Sequence, residues 1–157
     1  MASNNNNFDL EPDNVSKVKE MKFGIVVSNW NKNITNNLFD GAYKTLIKYG
    51  VKEANIKKIE VPGSFELVYG CKRMQNKNVD AVIAIGCIIK GETDHYDYIC
   101  SSVSSGITQL NIINDIPIVF CVLTDHNIDQ SINRSGGKHG NKGIESAVAA
   151  IKMACIK

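Results

Sequence analysis

The chain has 157 residues, enough for one well-packed domain and too few for two ordinary ones. Its 18 Lys and Arg against 16 Asp and Glu leave a net charge of +2 with no basic block, which argues against nucleic acid as the main partner and favours small molecules. The longest apolar stretches are strand-length and broken by Gly, Asp or Lys, which excludes a membrane-spanning helix.

Residues 1–21 carry an asparagine run, Asn4 to Asn7, followed by acidic and polar residues without a sustained period, and read as a flexible N-terminal arm. The arm has neither the apolar core of a secretory signal nor the Arg/Ser-rich make-up of a transit peptide, so a cytoplasmic location is expected. The domain proper is expected over 22–157. Lys22 to Ser28 predicts a first strand, and Ile34, Leu38, Phe39, Ala42, Leu46 and Ile47 recur at helical spacing up to a stop at Gly50. Ile56 to Val61 predicts a second strand, broken by Pro62-Gly63, after which Phe65, Val68, Cys71 and Met74 mark one face of a second helix. Val79 to Ile89 is an almost unbroken apolar run, as expected of a strand covered on both faces of a parallel sheet. A helix follows from about Asp94 to Ile113. Pro117 opens a fourth strand, Ile118 to Leu123, and a short helical segment near Ile128 leads into a glycine-rich basic loop, Arg134 to Gly143. Ile144, Ala147, Val148, Ile151 and Ala154 make the last helix amphipathic.

This alternation predicts an α/β fold: a three-layer α/β/α sandwich with helices on both faces of a four-stranded parallel sheet. Ligands in such sheets bind beyond the carboxyl ends of the strands, and the notable residues fall there. Trp30, the sole tryptophan, lies between two asparagines after the first strand, where an aromatic platform for a planar ring competes with a plain packing role. Gly91-Glu92-Thr93 places a glycine turn at the start of a helix, whose unpaired N–H groups and dipole attract an anion such as phosphate. His95 sits beside that cradle and is suited to proton transfer near neutral pH.

Other motifs carry less. The loop with Arg134, Lys138 and Lys142 suits a dianionic phosphate, but Asn141 before Lys142 and Gly143 after it break the Walker A pattern, and no G-x-G-x-x-G follows the first strand. NTPase and dinucleotide readings fall away. His95, His126 and His139 lack ligand spacing, so no metal site is expected, and Asp125-His126 reads as a surface turn. The five cysteines, Cys71, Cys87, Cys100, Cys121 and Cys155, are odd in number and contain no C-x-x-C, which fits buried thiols in a reducing compartment.

Taken together, Val61-Pro-Gly-Ser-Phe-Glu66, the run from Gly86 through His95 to Cys100, and Gln130 through Gly143 into Ile144-Glu145-Ser146-Ala147 resemble the 6,7-dimethyl-8-ribityllumazine synthase family of riboflavin biosynthesis. The resemblance covers about residues 22–157. It implies a flavodoxin-like sandwich that condenses 5-amino-6-(D-ribitylamino)uracil with 3,4-dihydroxy-2-butanone 4-phosphate, releasing phosphate and water without cofactor or metal. By position it implies that Trp30 stacks on the pyrimidine, Ser64 and Phe65 bind the base, and Glu66 holds the ribityl chain. Cys87, Ile88 and Ile89 would offer main-chain contacts, and the amides of Glu92 and Thr93 with the Arg134 side chain would hold phosphate. Phe120 would pack over the ring, Lys142 would lie near the substrates with Glu145 beside it, and His95 would transfer protons.

The family further implies a homo-oligomer, a pentamer or a sixty-subunit icosahedral shell, with sites shared between neighbours. The compact Gly136 to Gly143 loop, lacking the insertion common in pentameric relatives, favours the shell. Two departures stand out: Lys90 where many relatives carry arginine, and Cys121 where glycine is common, expected to crowd the wall behind Phe120. Two rivals remain: a non-catalytic flavin- or lumazine-binding shell protein, opposed by the joint presence of His95, Arg134 and Lys142, and a flavodoxin-like electron carrier, opposed by the absence of a Ser/Thr-rich loop after the first strand.

Overall fold

A computed structural model describes residues 17–156. In chain order it contains β1 (Phe23–Ser28), α1 (Lys32–Lys48), a 3₁₀ turn (Glu53–Asn55), β2 (Ile56–Val61), α2 (Leu67–Gln75), β3 (Ala81–Ile89) and α3 (His95–Ile113). β4 (Ile118–Asp125), α4 (Ile128–Arg134), β5 (Ser135–Gly137), β6 (Gly140–Asn141) and α5 (Lys142–Ala154) complete it.

The main sheet is parallel with order β2-β1-β3-β4. Alternation along the strands sorts the core into two layers. Phe23, Ile25, Val27, Ile83, Ile85 and Cys87 point to one side, where they bury Leu38, Leu46, Ala147 and Ile151 of α1 and α5. Val26, Val82, Ala84 and Ile88 point to the other and cover Leu67, Met74, Val103 and Ile107 of α2 and α3. The three-layer sandwich is therefore present, with the apolar run of β3 buried on both faces as its composition dictates.

Strand order places the functional loops. The chain runs outward from β1 to β2 and then returns past β1 to lay down β3, so the loops after β1 and β3 diverge and leave a crevice at the switch point. β3 pairs with β1 only as far as Ile85, whereas its pairing with β4 continues to Ile89. Gly86 to Ile89 thus extend past β1 with one backbone edge open to the crevice.

Five boundaries differ from the sequence reading. β3 starts at Ala81 and β4 runs on to Asp125. Phe65 is 56% exposed and lies ahead of α2, because the Glu66 carboxylate accepts the Gly63 N–H at 2.9 Å and holds the chain in a turn up to Glu66. Arg134 to Gly143 is not all loop: β5 and β6 form a small antiparallel ribbon within it. The arm expected through Met21 joins the domain at Val18, which is fully buried in the core, and Glu20 pairs with Lys52 at 2.7 Å. The asparagine run lies outside the described residues.

Candidate active site

A cleft of about 530 Å³ opens at the switch point, lined by Trp30, Asn31, Gly63, Ser64, Phe65, Glu66, Cys87, Ile88, Ile89, Gly91, Thr93, His95, Tyr96 and Ile99. Backbone bonding builds its first wall. Asn29 N–H donates to the Val61 carbonyl at 2.8 Å and Trp30 N–H to the Pro62 carbonyl at 3.1 Å, which continues the β1–β2 ladder into the loops and sets Trp30 over the Ser64–Glu66 turn. The Trp30 ring is 70% exposed, as a stacking platform requires and a core anchor does not. Ser64 is buried with its Oγ lacking a protein partner, so its hydroxyl is left for a ligand or water. Gly86 makes room beneath it, because a Cβ there would fall 2.8 Å from both Ser64 Oγ and Leu67 Cδ1.

The floor is the open edge of β3. The Cys87 carbonyl accepts a hydrogen bond from Asn31 Nδ2 at 3.0 Å, and the Lys90 N–H donates to the Asp125 carbonyl at 3.0 Å. Because peptide groups alternate between a strand's two edges, Cys87 and Ile89 face the crevice while Ile88 and Lys90 turn their main-chain groups to β4. Burial pushes the Cys87 thiol above its ordinary range, with the Ser131 contact pulling the other way, which disfavours the thiolate that a nucleophile requires.

The third wall is the start of α3. Asp94 makes no side-chain cap, its carbonyl accepts from the Asp97 and Tyr98 N–H groups, the N–H groups ahead of these are suited to an anion, and Thr93 lies on the cleft. Glu92 is exposed and outside the lining residues. His95 opens the helix on the cleft side. Beside it Tyr96 meets the ring of His126 edge-on at 6.4 Å, and Lys90 stands 6.0 Å over the Tyr96 ring.

Phe120, Arg134 and Lys142 do not join this cleft. They line a second one, of about 570 Å³, along the open edge formed by β4, together with Asp125, Glu145 and Ser146. Loops after all four strands thus do not meet in one place within a chain. The reason is the path of α4: it crosses the ends of β3 and β4 with Ser131 buried against Cys87, which turns Arg134 at its carboxyl end to the β4 side. Lys142 opens α5 and donates to both Glu145 oxygens at 2.8 Å. Asn141 fixes this start: its Oδ1 accepts the Gly143 N–H at 2.8 Å and its Nδ2 donates to the Asn37 carbonyl at 2.8 Å. Phe120 is 40% exposed on the edge strand, and the buried Cys121, which packs in the layer with α1 and α5, lines the same cleft.

Asp125 reads as part of a surface turn in the sequence and is instead buried. Its Oδ2 accepts from Ser131 Oγ at 2.8 Å, and Ser131 Oγ accepts from the Cys87 thiol at 3.4 Å. Asn31, Asp125 and Ser131 are the residues that sequence reasoning missed. Among the described residues no group of three or more His, Cys, Asp or Glu is placed to hold a metal, and no helix is long and apolar enough to cross a membrane.

Fold and site together define a flavodoxin-like α/β/α protein whose ligand groups lie at the carboxyl ends of a parallel sheet and along its open edge. A profile of the 6,7-dimethyl-8-ribityllumazine synthase family matches residues 20–157, and the chain belongs to that family. It is similar to the 6,7-dimethyl-8-ribityllumazine synthases of Christiangramia forsetii, at 52% identity over 100% of this chain and 95% of the relative, and of Flavobacterium johnsoniae, at 54% over 100% and 84%. The Bacteroides fragilis protein of the same name is 55% identical over 85% of this chain and 94% of its own.

Proposed function

We propose that the chain condenses 5-amino-6-(D-ribitylamino)uracil with 3,4-dihydroxy-2-butanone 4-phosphate to 6,7-dimethyl-8-ribityllumazine, phosphate and water, the penultimate step of riboflavin biosynthesis. The site joins the first cleft of one subunit to the second cleft of its neighbour. What supports this is the split itself: Trp30, Ser64, Glu66 and His95 line one cleft and Phe120, Arg134 and Lys142 another, so a partner is needed to bring the two sets together. Exposed Tyr98, Ile112, Ile113, Ile128 and Ile132 provide apolar surface for such a partner.

In this reading Trp30 and the neighbour's Phe120 hold the pyrimidine. Ser64 and Phe65 contact its edges along the Cys87–Ile89 floor, and Glu66 takes the ribityl hydroxyls. The amides of Glu92 and Thr93 face the neighbour's Arg134 across the phosphate. The 5-amino nitrogen attacks the ketone, and loss of water gives an imine. His95 removes a carbon-bound proton, phosphate leaves toward Arg134 and the α3 N-terminus, and the ribityl-bearing nitrogen closes the ring with loss of a second water. Lys142, oriented by Glu145, keeps the substrate side of the second cleft cationic. Holding two substrates in register supplies much of the rate, so one modest acid/base group suffices.

The compact β5–β6 ribbon supports assembly of pentamers into the sixty-subunit shell, and the five free cysteines support a reducing, cytoplasmic setting. Mixing the protein with both substrates and following lumazine absorbance tests the activity. Turnover that falls about 100-fold in His95→Ala is expected. A wild-type protein that binds lumazine without forming it would establish the non-catalytic shell protein instead.

A further inference from the structure

Asp125 has no part in the chemistry above, yet it lines the second cleft and is linked through Ser131 to Cys87 in the first. It ends β4, is only 6% exposed, and lines the second cleft. Its Oδ1 faces Arg134 Nε at 3.9 Å and its Oδ2 accepts from Ser131 Oγ at 2.8 Å. Ser131, fully buried, accepts in turn from the thiol of Cys87 in the floor of the first cleft. A buried carboxylate is costly unless a cation and hydrogen-bond donors compensate it, and Arg134 is the cation placed to do so. Arg134 Nη1 also donates to the Gln130 carbonyl at 3.1 Å, so one edge of its planar fork is hydrogen-bonded, its Nε faces the carboxylate at ion-pair distance, and the residue lines the second cleft.

We propose that Asp125 is a positioning residue: it holds the guanidinium of Arg134 in the plane that receives a dianionic phosphate, and through Ser131 it ties that plane to the Cys87 floor. The inference rests on the reading of Arg134 as a phosphate ligand. It makes a prediction opposite to charge counting. Removing a carboxylate from beside a phosphate site should tighten anion binding if only net charge mattered. If the carboxylate instead holds a long, flexible arginine in place, removing it weakens binding, because displacement of a binding group by a fraction of an ångström is costly.

The test uses the assembled protein, with inorganic phosphate as the calorimetric probe and steady-state kinetics on both substrates. Asp125→Asn keeps the shape and an acceptor for Ser131 while removing the charge. It is expected to weaken phosphate about tenfold and to raise KM for the phosphate-bearing substrate about as much, with KM for the pyrimidine unchanged. In an Arg134→Lys background, which lacks Nε and the fork, the same change should cost less than about twofold. Unchanged or tighter phosphate binding by Asp125→Asn, or an undiminished loss in the Arg134→Lys background, would overturn the proposal. Should Asp125→Asn not fold, Ser131→Ala carries the test: about threefold weaker binding is expected once the carboxylate is free to turn, and no change overturns the proposal. A wild-type chain that binds phosphate but forms no lumazine would sink the functional reading alone. An active wild type with an indifferent Asp125→Asn would sink only this one.

Discussion

The Asn31 side-chain amide donates to the Cys87 carbonyl at 3.0 Å, bridging the switch point between β1 and β3. Asn31 does so from a left-handed conformation, φ 57° and ψ 48°, which asparagine tolerates better than most side chains. One residue thus starts α1, shapes the loop that carries Trp30, and fixes the cleft floor. Asn31→Gly keeps the backbone and loses the bond, and is expected to cost about 1 kcal/mol. Asn31→Ala loses both and should cost roughly 2–3 kcal/mol in urea denaturation. Alanine proving the more stable of the two would contradict this account.

Trp30 is the sole tryptophan and lies exposed on the cleft, so all indole emission reports on the site. Titration with a ribityl-pyrimidine analogue should change most of that emission and saturate. Saturable binding seen by calorimetry, with emission unmoved, would place the pyrimidine away from Trp30.

Much of this was legible in the sequence, for reasons that name where legibility stops. β3 is readable because burial on both faces demands an unbroken apolar run, and the α3 start is readable because glycine and a polar turn directly follow it. Phe65 sits at helical spacing from Val68, yet the bond from the Gly63 N–H to the Glu66 carboxylate delays the helix to Leu67 and frees Phe65 for the cleft. Asp125 reads as a turn residue because polar residues at a strand end look alike whether they face solvent or a buried hydroxyl six residues on. The separation of Arg134 from His95 follows from the path of α4 across the sheet, which no local pattern records.

Gly143 packs against α1 so closely that a Cβ would lie 1.9 Å from the Leu38 carbonyl oxygen. Alanine is the better helix former by about 1 kcal/mol, but the backbone contact outweighs this. Gly143→Ala is expected to lower stability by about 2 kcal/mol and, by shifting the neighbouring Lys142, to reduce turnover. A melting temperature equal to or above that of the parent would show that α1 and α5 can separate freely.

Burial pushes the Cys71 thiol up to about 12 and the Cys121 thiol up to about 11. Raised folded-state values mean that the folded protein keeps protons the unfolded chain releases, so this stabilisation is complete below about pH 9 and is lost as pH rises toward 11 to 12. Each thiol should contribute about 1.4 kcal/mol of lost stability per pH unit in that window. Urea midpoints measured under reductant between about pH 8 and 10.5 should fall less steeply for Cys71→Ala than for the parent. Equal slopes would mean that Cys71 ionises as readily folded as unfolded.

The central claim is an active site assembled from two chains, and complementation tests it most directly. His95→Ala and Arg134→Ala disable opposite halves of the proposed site. If the two inactive proteins are unfolded, mixed in equal amounts and reassembled at random, about a quarter of the sites should pair an intact His95 with a neighbour's intact Arg134, as a head-to-tail cyclic interface requires. Lumazine formation recovering to about a quarter of the wild-type rate is the predicted result. Activity that stays at the level of the two parents, once mixing within assemblies is verified by mass, would contradict the shared site.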